Sequence, residues 1–165
     1  MVDARKLARK VRWLRWLINI YPPLLGAGVR VRSISPDMRQ INVSMPLRWY
    51  NRNYVGVQYG GSLCSMIDPF YMLMLVEILG PDYIVWDKSV DMEFVAPGRG
   101  EVFAEFYVDD ALLEHVRSAT ATGEKYLPVL PVTIVDGAGN VIAKAQKTLY
   151  IRRKMRESAG DAHAN

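Results

Sequence analysis

The chain has 165 residues, 50 % hydrophobic and 23 % charged, proportions of one globular domain with short arms that exclude a disordered chain, a collagen-like chain and a long solenoid. Its single cysteine, Cys64, can build neither a disulfide framework nor a multi-cysteine zinc or iron–sulfur site, and His115 and His163 leave little for a histidine metal centre or triad. The net charge of +4 sits at the two ends, with Lys and Arg gathered in residues 1–20 and 144–156 around a mildly acidic body. That excludes a dedicated nucleic-acid binder and fits a small phosphate-bearing ligand or an anionic membrane surface equally well.

In residues 1–22, Arg5, Arg9 and Arg12 recur at helical spacing, and so do Leu7, Val11, Leu14 and Ile18. The pattern predicts a basic amphipathic helix that ends at Tyr21, where Pro22 and Pro23 halt it. The apolar run of residues 16–20 is too short for a span and no small-residue cleavage site follows, so a cytoplasmic location is expected. Packing of the Trp-rich face on the chain's own domain is preferred to contact with a membrane surface.

Val29, Val31 and Ser33 alternate with Arg30 and Arg32, Ser35-Pro36-Asp37 signals a turn, and Ile41, Val43, Met45 and Leu47 alternate again. This reads as an antiparallel hairpin. A polar loop over residues 51–61 leads into SLCSMIDPFYMLMLVEIL, which Gly80-Pro81 stops. As one helix of roughly 27 Å it is apolar nearly all round, so it should be buried on every side, and Asp68 and Glu77 argue against a membrane span. Alternation resumes at Val90, Met92 and Phe94, turns over residues 97–100, and continues through Val102, Ala104, Phe106 and Val108. A short helix over 111–121 capped by Asp110, a strand over 132–135, the turn DGAGN and a strand over 141–151 complete the pattern. The prediction is one α+β domain, an antiparallel sheet around a long central helix, followed by a basic and then flexible tail over 152–165.

The chain has no GxxxxGK[ST], GxGxxG or HExxH pattern. Gly60-Gly61-Ser62-Leu63-Cys64 resembles a serine-hydrolase elbow, but Cys64 stands where the last glycine belongs and only His115 could serve as base. Ser62 and Cys64 are therefore disfavoured as nucleophiles, and Cys64 reads as a buried small hydrophobe. Gly60 and Gly61 lie where a loop enters the helix, a place where unsatisfied amides can hold a polarised carbonyl. Asp68 is a lone carboxylate in an apolar run, and desolvation raises such a pKa and suits it to act as general base or nucleophile. The same residues also read structurally. Asp68 can be an N-cap with Pro69 at the first helical position, Gly60-Gly61 a flexible turn, Asn51 and Asn53 turn residues, and Tyr59 a packing aromatic. The residues alone leave both readings open.

Asn53, Gly56, Tyr59, Gly60-Gly61 and Asp68 carry a family pattern. The stretch resembles the hotdog-fold acyl-CoA thioesterases of the phenylacetate-pathway type, whose signature is Asn-x-x-Gly-x-x-His-Gly-Gly with a carboxylate nine residues after the His. Every interval is kept here, with Tyr59 in place of the His. SVDMEFVAPGRGEV resembles the strand and turn that follow the helix in those enzymes, and a bacterial branch reading YGGS and DPFYMLML, identified as thioesterases by inference, is the most similar. The resemblance covers residues 28–151 and implies a hotdog fold there. It implies that the Gly60 N–H and the Asn53 side chain polarise a thioester carbonyl, that Asp68 is general base or nucleophile, and that Ser89 orients the water. Gly61 and Arg99 become substrate-binding candidates, although solvated charge is preferred for Arg99 and for the basic residues of 152–156. The implied substrate is an acyl-CoA, with coenzyme A entering only as part of it and no metal required. The implied partner is a second copy, as a homodimer or a dimer of dimers, with Asp68 and Asn53 from different subunits. Tyr59 can donate a hydrogen bond but cannot act as a neutral imidazole, which argues against a dehydratase. The alternative is a non-catalytic hotdog protein that binds acyl groups or scaffolds an assembly.

Overall fold

The computed structural model describes residues 4–155, with side chains from Leu7 onward. The expected tail beyond residue 155, with His163 and Arg156, and the side chain of Arg5 lie outside the described residues. Helix α1 (Ala4–Ile20) keeps the expected period, with Val11 buried and Leu14 and Ile18 packed on the core. Pro22 and Pro23 end α1 but do not end helical structure. They fill the first turn of α2 (Pro22–Ala27), where a missing N–H costs nothing. The expected burial of the Trp-rich face is not found: Trp13 and Trp16 are 61 % and 57 % exposed, because the core takes the opposite side of the helix.

Strands β1 (Arg30–Ile34) and β2 (Gln40–Met45) form the predicted antiparallel hairpin. A register shift between Val31 and Ser33 turns Ile34 inward where simple alternation placed Ser33. Ile41, Val43 and Met45 line the core as predicted.

The central helix is two helices, α3 (Gly60–Ile67) and α4 (Phe70–Leu79). Pro69 has no N–H to donate and its ring crowds the carbonyl four residues back, which breaks the ladder there. Asp68 keeps helical angles (φ −62°, ψ −58°), so the N-cap reading fails: an N-cap is normally extended, and no side chain caps α4. Nor is the segment buried all round. Leu63, Met66, Ile67, Phe70, Tyr71, Met74 and Leu75 face the sheet, whereas Gly61, Asp68 and Val76 are exposed and Cys64 is only half-buried. By length and composition this stretch could cross a membrane, but here it supplies the core, with Phe70 and Tyr71 packed on Phe106.

The remaining elements are β3 (Tyr83–Phe94), β4 (Val102–Tyr107), α5 (Asp110–Ala119), β5 (Lys125–Tyr126), β6 (Val129–Asp136) and β7 (Val141–Arg153). The sheet runs β1-β2-β4-β6-β7-β3, antiparallel throughout, with β5 paired to β7. Strand β3 starts well before the predicted alternation; its Val90 and Phe94 lie in register with Lys147 and Ala143 on the helix side of the sheet yet stay exposed, among the charged Lys88, Asp91 and Glu93. Asp109, not Asp110, caps α5: its carboxylate accepts from Leu112 N at 2.7 Å, while Asp110 pairs with Arg39. A curved antiparallel sheet around a central helix is the hotdog fold.

One buried polar residue fastens the loop between β2 and α3. Asn51 is 1 % exposed; its Oδ1 accepts from Arg48 N, and its Nδ2 donates to Ala27 O and Pro46 O. The amide also sits where a side chain on Gly28 would stand, since a Cβ there would lie 2.4 Å from Nδ2. Asn51→Ala strands these groups in a dry site and should cost about 2 kcal/mol in a urea unfolding curve.

Candidate active site

The loop before α3 is held at both ends. Gln58 donates through its backbone N to Gly98 O and through Nε2 to Met45 O and Gly100 O, which ties the loop to the β3–β4 turn. Asn53 closes the middle: its Oδ1 accepts from Val55 N and Val57 N, so that oxygen is spent on the turn and Nδ2 is the group left to meet a ligand. Tyr59 flanks the N-terminus of α3 and is half exposed, its backbone N bonded to Asn51 O. Its ring lies over Gly61, where a Cβ would come within 2.4 Å of Cε1, and the Phe94 ring covers Gly60 at 3.1 Å by the same measure. The two glycines therefore leave room for two aromatic rings at a helix start whose first amides lack intrahelical acceptors.

Asp68 stands at the other end of α3. Its Oδ1 accepts a 2.7 Å hydrogen bond from Nζ of Lys147, a side chain only 1 % exposed, while the Asp68 side chain is 65 % exposed. Asp68 is thus ion-paired and open to solvent in the single chain, not the desolvated carboxylate the apolar run predicted. The Lys147 ammonium also lies 3.0 Å from Oδ1 of Asp87 without an aligned hydrogen bond. Burial pushes the Asp87 carboxyl up, against the downward pull of Lys147. Sequence reasoning missed both partners, although one signal was present. Ala143, Ala145, Lys147, Leu149 and Ile151 share one face of β7, so a lysine stands in a buried register.

Cys64 lies beside this cluster, its Sγ 3.3 Å from Met92 Sδ, and burial followed by the Asp68 charge pushes its thiol up, away from nucleophile chemistry. Ser62 is buried, and His115 stacks on Tyr126 out on α5. Ser89 sits at the bulge of β3, opposite Thr148, one position along from the Val90–Lys147 pair and on the other face of the sheet. Arg99 occupies the β3–β4 turn in a recess shared with Glu101 and Asp136, poor company for a phosphate anchor. Arg152 donates to Gly123 O and Lys154 to Pro81 O, so both fasten neighbouring turns. Among the described residues no group of His, Cys, Asp and Glu could hold a metal ion.

Gly60 and Asp68 are eight residues apart along the helix, or about 12 Å. A carbonyl held by the amide and a water held by the carboxylate must lie within about 3 Å of each other to react. The two groups therefore stand at opposite ends of α3. A cavity of about 310 Å³ lies between α1, α2 and α4, lined by Leu17, Ile18, Tyr21, Leu24, Met72 and Leu73 among others, and Asp68 is not part of its lining.

The family described as a domain of unknown function (DUF4442) matches over residues 10–151. No curated protein matches the sequence significantly. Among solved structures, a protein of unknown function from Pseudomonas aeruginosa described as "Probable Thioesterase" aligns with TM-score 0.76 and 19 % identity, over 86 % of this chain and 95 % of its own. A thioesterase from Haemophilus influenzae aligns with TM-score 0.65 and 14 % identity, over 90 % and 94 %. A protein of unknown function from Chlorobaculum tepidum aligns with TM-score 0.66 and 16 % identity, over 92 % and 94 %. These likenesses establish the hotdog fold.

Proposed function

The chain belongs to the DUF4442 family, and we propose that it hydrolyses acyl-CoA thioesters as a homodimer or dimer of dimers. The observation that carries this reading is the pairing of an amide-lined helix start at Gly60 with an anchored carboxylate at Asp68, on the fold whose solved members include a thioesterase. The Gly60 N–H, helped by Nδ2 of Asn53, polarises the thioester carbonyl. Asp68 takes the proton of the attacking water, or attacks as a nucleophile, and Ser89 orients that water.

In this reading the second copy is part of the mechanism, since Gly60 and Asp68 of one chain stand at opposite ends of α3. Strand β3 is the natural seam: it is an edge of 12 residues, and Trp86, Val90 and Phe94 on it are exposed. An unpaired edge strand invites antiparallel pairing with its own copy. Such pairing brings the exposed helix face of Asp68 and Val76 toward the partner's loop, with Asp68 of one subunit serving Gly60 and Asn53 of the other.

Thiol release from short, medium, long and aromatic acyl-CoAs, measured with the oligomer in solution, tests the reading. Turnover of one class supports it. A folded oligomer that binds acyl-CoA and releases no thiol from any of them replaces it with the acyl-binding alternative, and points to Tyr59 as the lost function.

A further inference from the structure

Helix α1 carries two faces. Val11, Leu14 and Ile18 fall on one side and pack on the core. At 100° per residue Arg9, Trp13, Trp16 and Ile20 fall on the opposite side, and the structure exposes all four. An ordinary surface helix places polar residues there. The helix cannot roll to hide its tryptophans, because its inner side is pinned. Asn19 Oδ1 accepts from Val31 N at 2.7 Å and Asn19 Nδ2 donates to Val31 O, Arg15 donates to Arg32 O, and Lys10 pairs with Glu77. Tyr21 and Leu25, both 55 % exposed, extend the apolar patch onto α2.

We propose that this face docks the protein on an anionic lipid surface. Charge complementarity selects the occupant. Residues 4–27 contain basic side chains and no acid, and Arg9 and Arg12 flank the tryptophans. A second copy packed symmetrically on the same face would set arginines against arginines. The edge strand offered for self-association, β3, is at the other end of the sheet order from β1, on which α1 rests. Tryptophan and arginine together are the composition of helices that lie in the headgroup region, where the indole ring meets both hydrocarbon and water. The docking stands or falls independently of thioester hydrolysis.

The full chain is sedimented with vesicles of equimolar phosphatidylglycerol and phosphatidylcholine, and with phosphatidylcholine alone. The expected result is binding to the anionic vesicles only, weakening as salt rises. Trp13→Ser with Trp16→Ser abolishes it, and Arg9→Gln with Arg12→Gln weakens it by about thirtyfold. All four side chains are exposed, so both variants keep the circular dichroism and elution volume of the parent. A parent chain that stays in the supernatant, variants that bind like the parent, or tryptophan variants that elute as a smaller oligomer each overturn the proposal. The last result would assign the face to contact between copies.

Discussion

Asp68→Ala lowers acyl-CoA hydrolysis by about 10²–10⁴-fold, the range expected when a positioned general base is removed, and leaves the protein folded. The loss should fall on kcat, because the carboxylate is needed when the water attacks and contributes little to holding the coenzyme. Folding survives because the Asp68 side chain is 65 % exposed and Lys147 keeps Asp87 as a counter-charge. Asp68→Asn sharpens the test, since the amide oxygen still accepts from Lys147 while the base is gone. Thiol release beside a urea curve separates the outcomes: an active Asp68→Asn enzyme removes Asp68 from the mechanism. An inactive variant that has also lost several kcal/mol would mark Asp68 as structural, as its pairing with a buried lysine allows.

The parts of this fold that were legible in the sequence are those governed by simple periods. Ile41, Val43 and Met45, and later Val102, Ala104 and Phe106, alternate without interruption, and each landed in the core. What escaped were interruptions of the period. The register shift after Val31 exchanges Ser33 for Ile34, and Pro69 splits a helix that composition makes continuous. The first leaves no local mark, whereas Pro69 does, and the Asp68-Pro69 reading places a helix boundary there but takes it for an N-cap rather than a break between two helices. The cap of α5 shifted by one residue because Asp109 and Asp110 are chemically equal candidates, and backbone geometry decides between them. The outward tryptophans of α1 contradict the assumption that aromatics go inside. That assumption holds on average and fails where a surface has a use for them.

The candidate site was half legible. Gly60, Gly61 and Asp68 could be found from the spacing that the family resemblance shares, because those residues follow one another along one loop and one helix. Lys147 could not, since its meeting with Asp68 spans 79 positions and depends on how β7 passes under the helix break. The misjudged environment of Asp68 has the same origin. Sequence neighbours made it look desolvated, whereas its surroundings are set by a distant lysine and, in the proposed dimer, by another chain.

Lys147→Met is the second test with a large expected effect. Methionine fills the buried volume of the lysine stem, so packing is retained and charge alone is lost. Asp87 is then left partly buried without its cation, and breaking a buried pair from one side costs about 3–5 kcal/mol. The sign of the pH dependence follows from Asp87. Burial already raises its carboxyl above the ordinary 3.8, and losing Lys147 raises it further. The native variant then binds more protons than the unfolded chain between that ordinary value and the raised one. Its stability falls as pH rises through this window, and the deficit is full at neutral pH and shrinks on acidification. Adding Asp87→Asn removes the stranded charge and should return most of the lost stability, with a coupling measurable by a double-mutant cycle. Hydrolysis separates positioning from structure. The refolded double variant still lacks the ammonium that holds Asp68, so kcat stays low while KM stays that of the parent. Full recovery of kcat along with stability would show that Lys147 supports the fold and leaves Asp68 to find its own place.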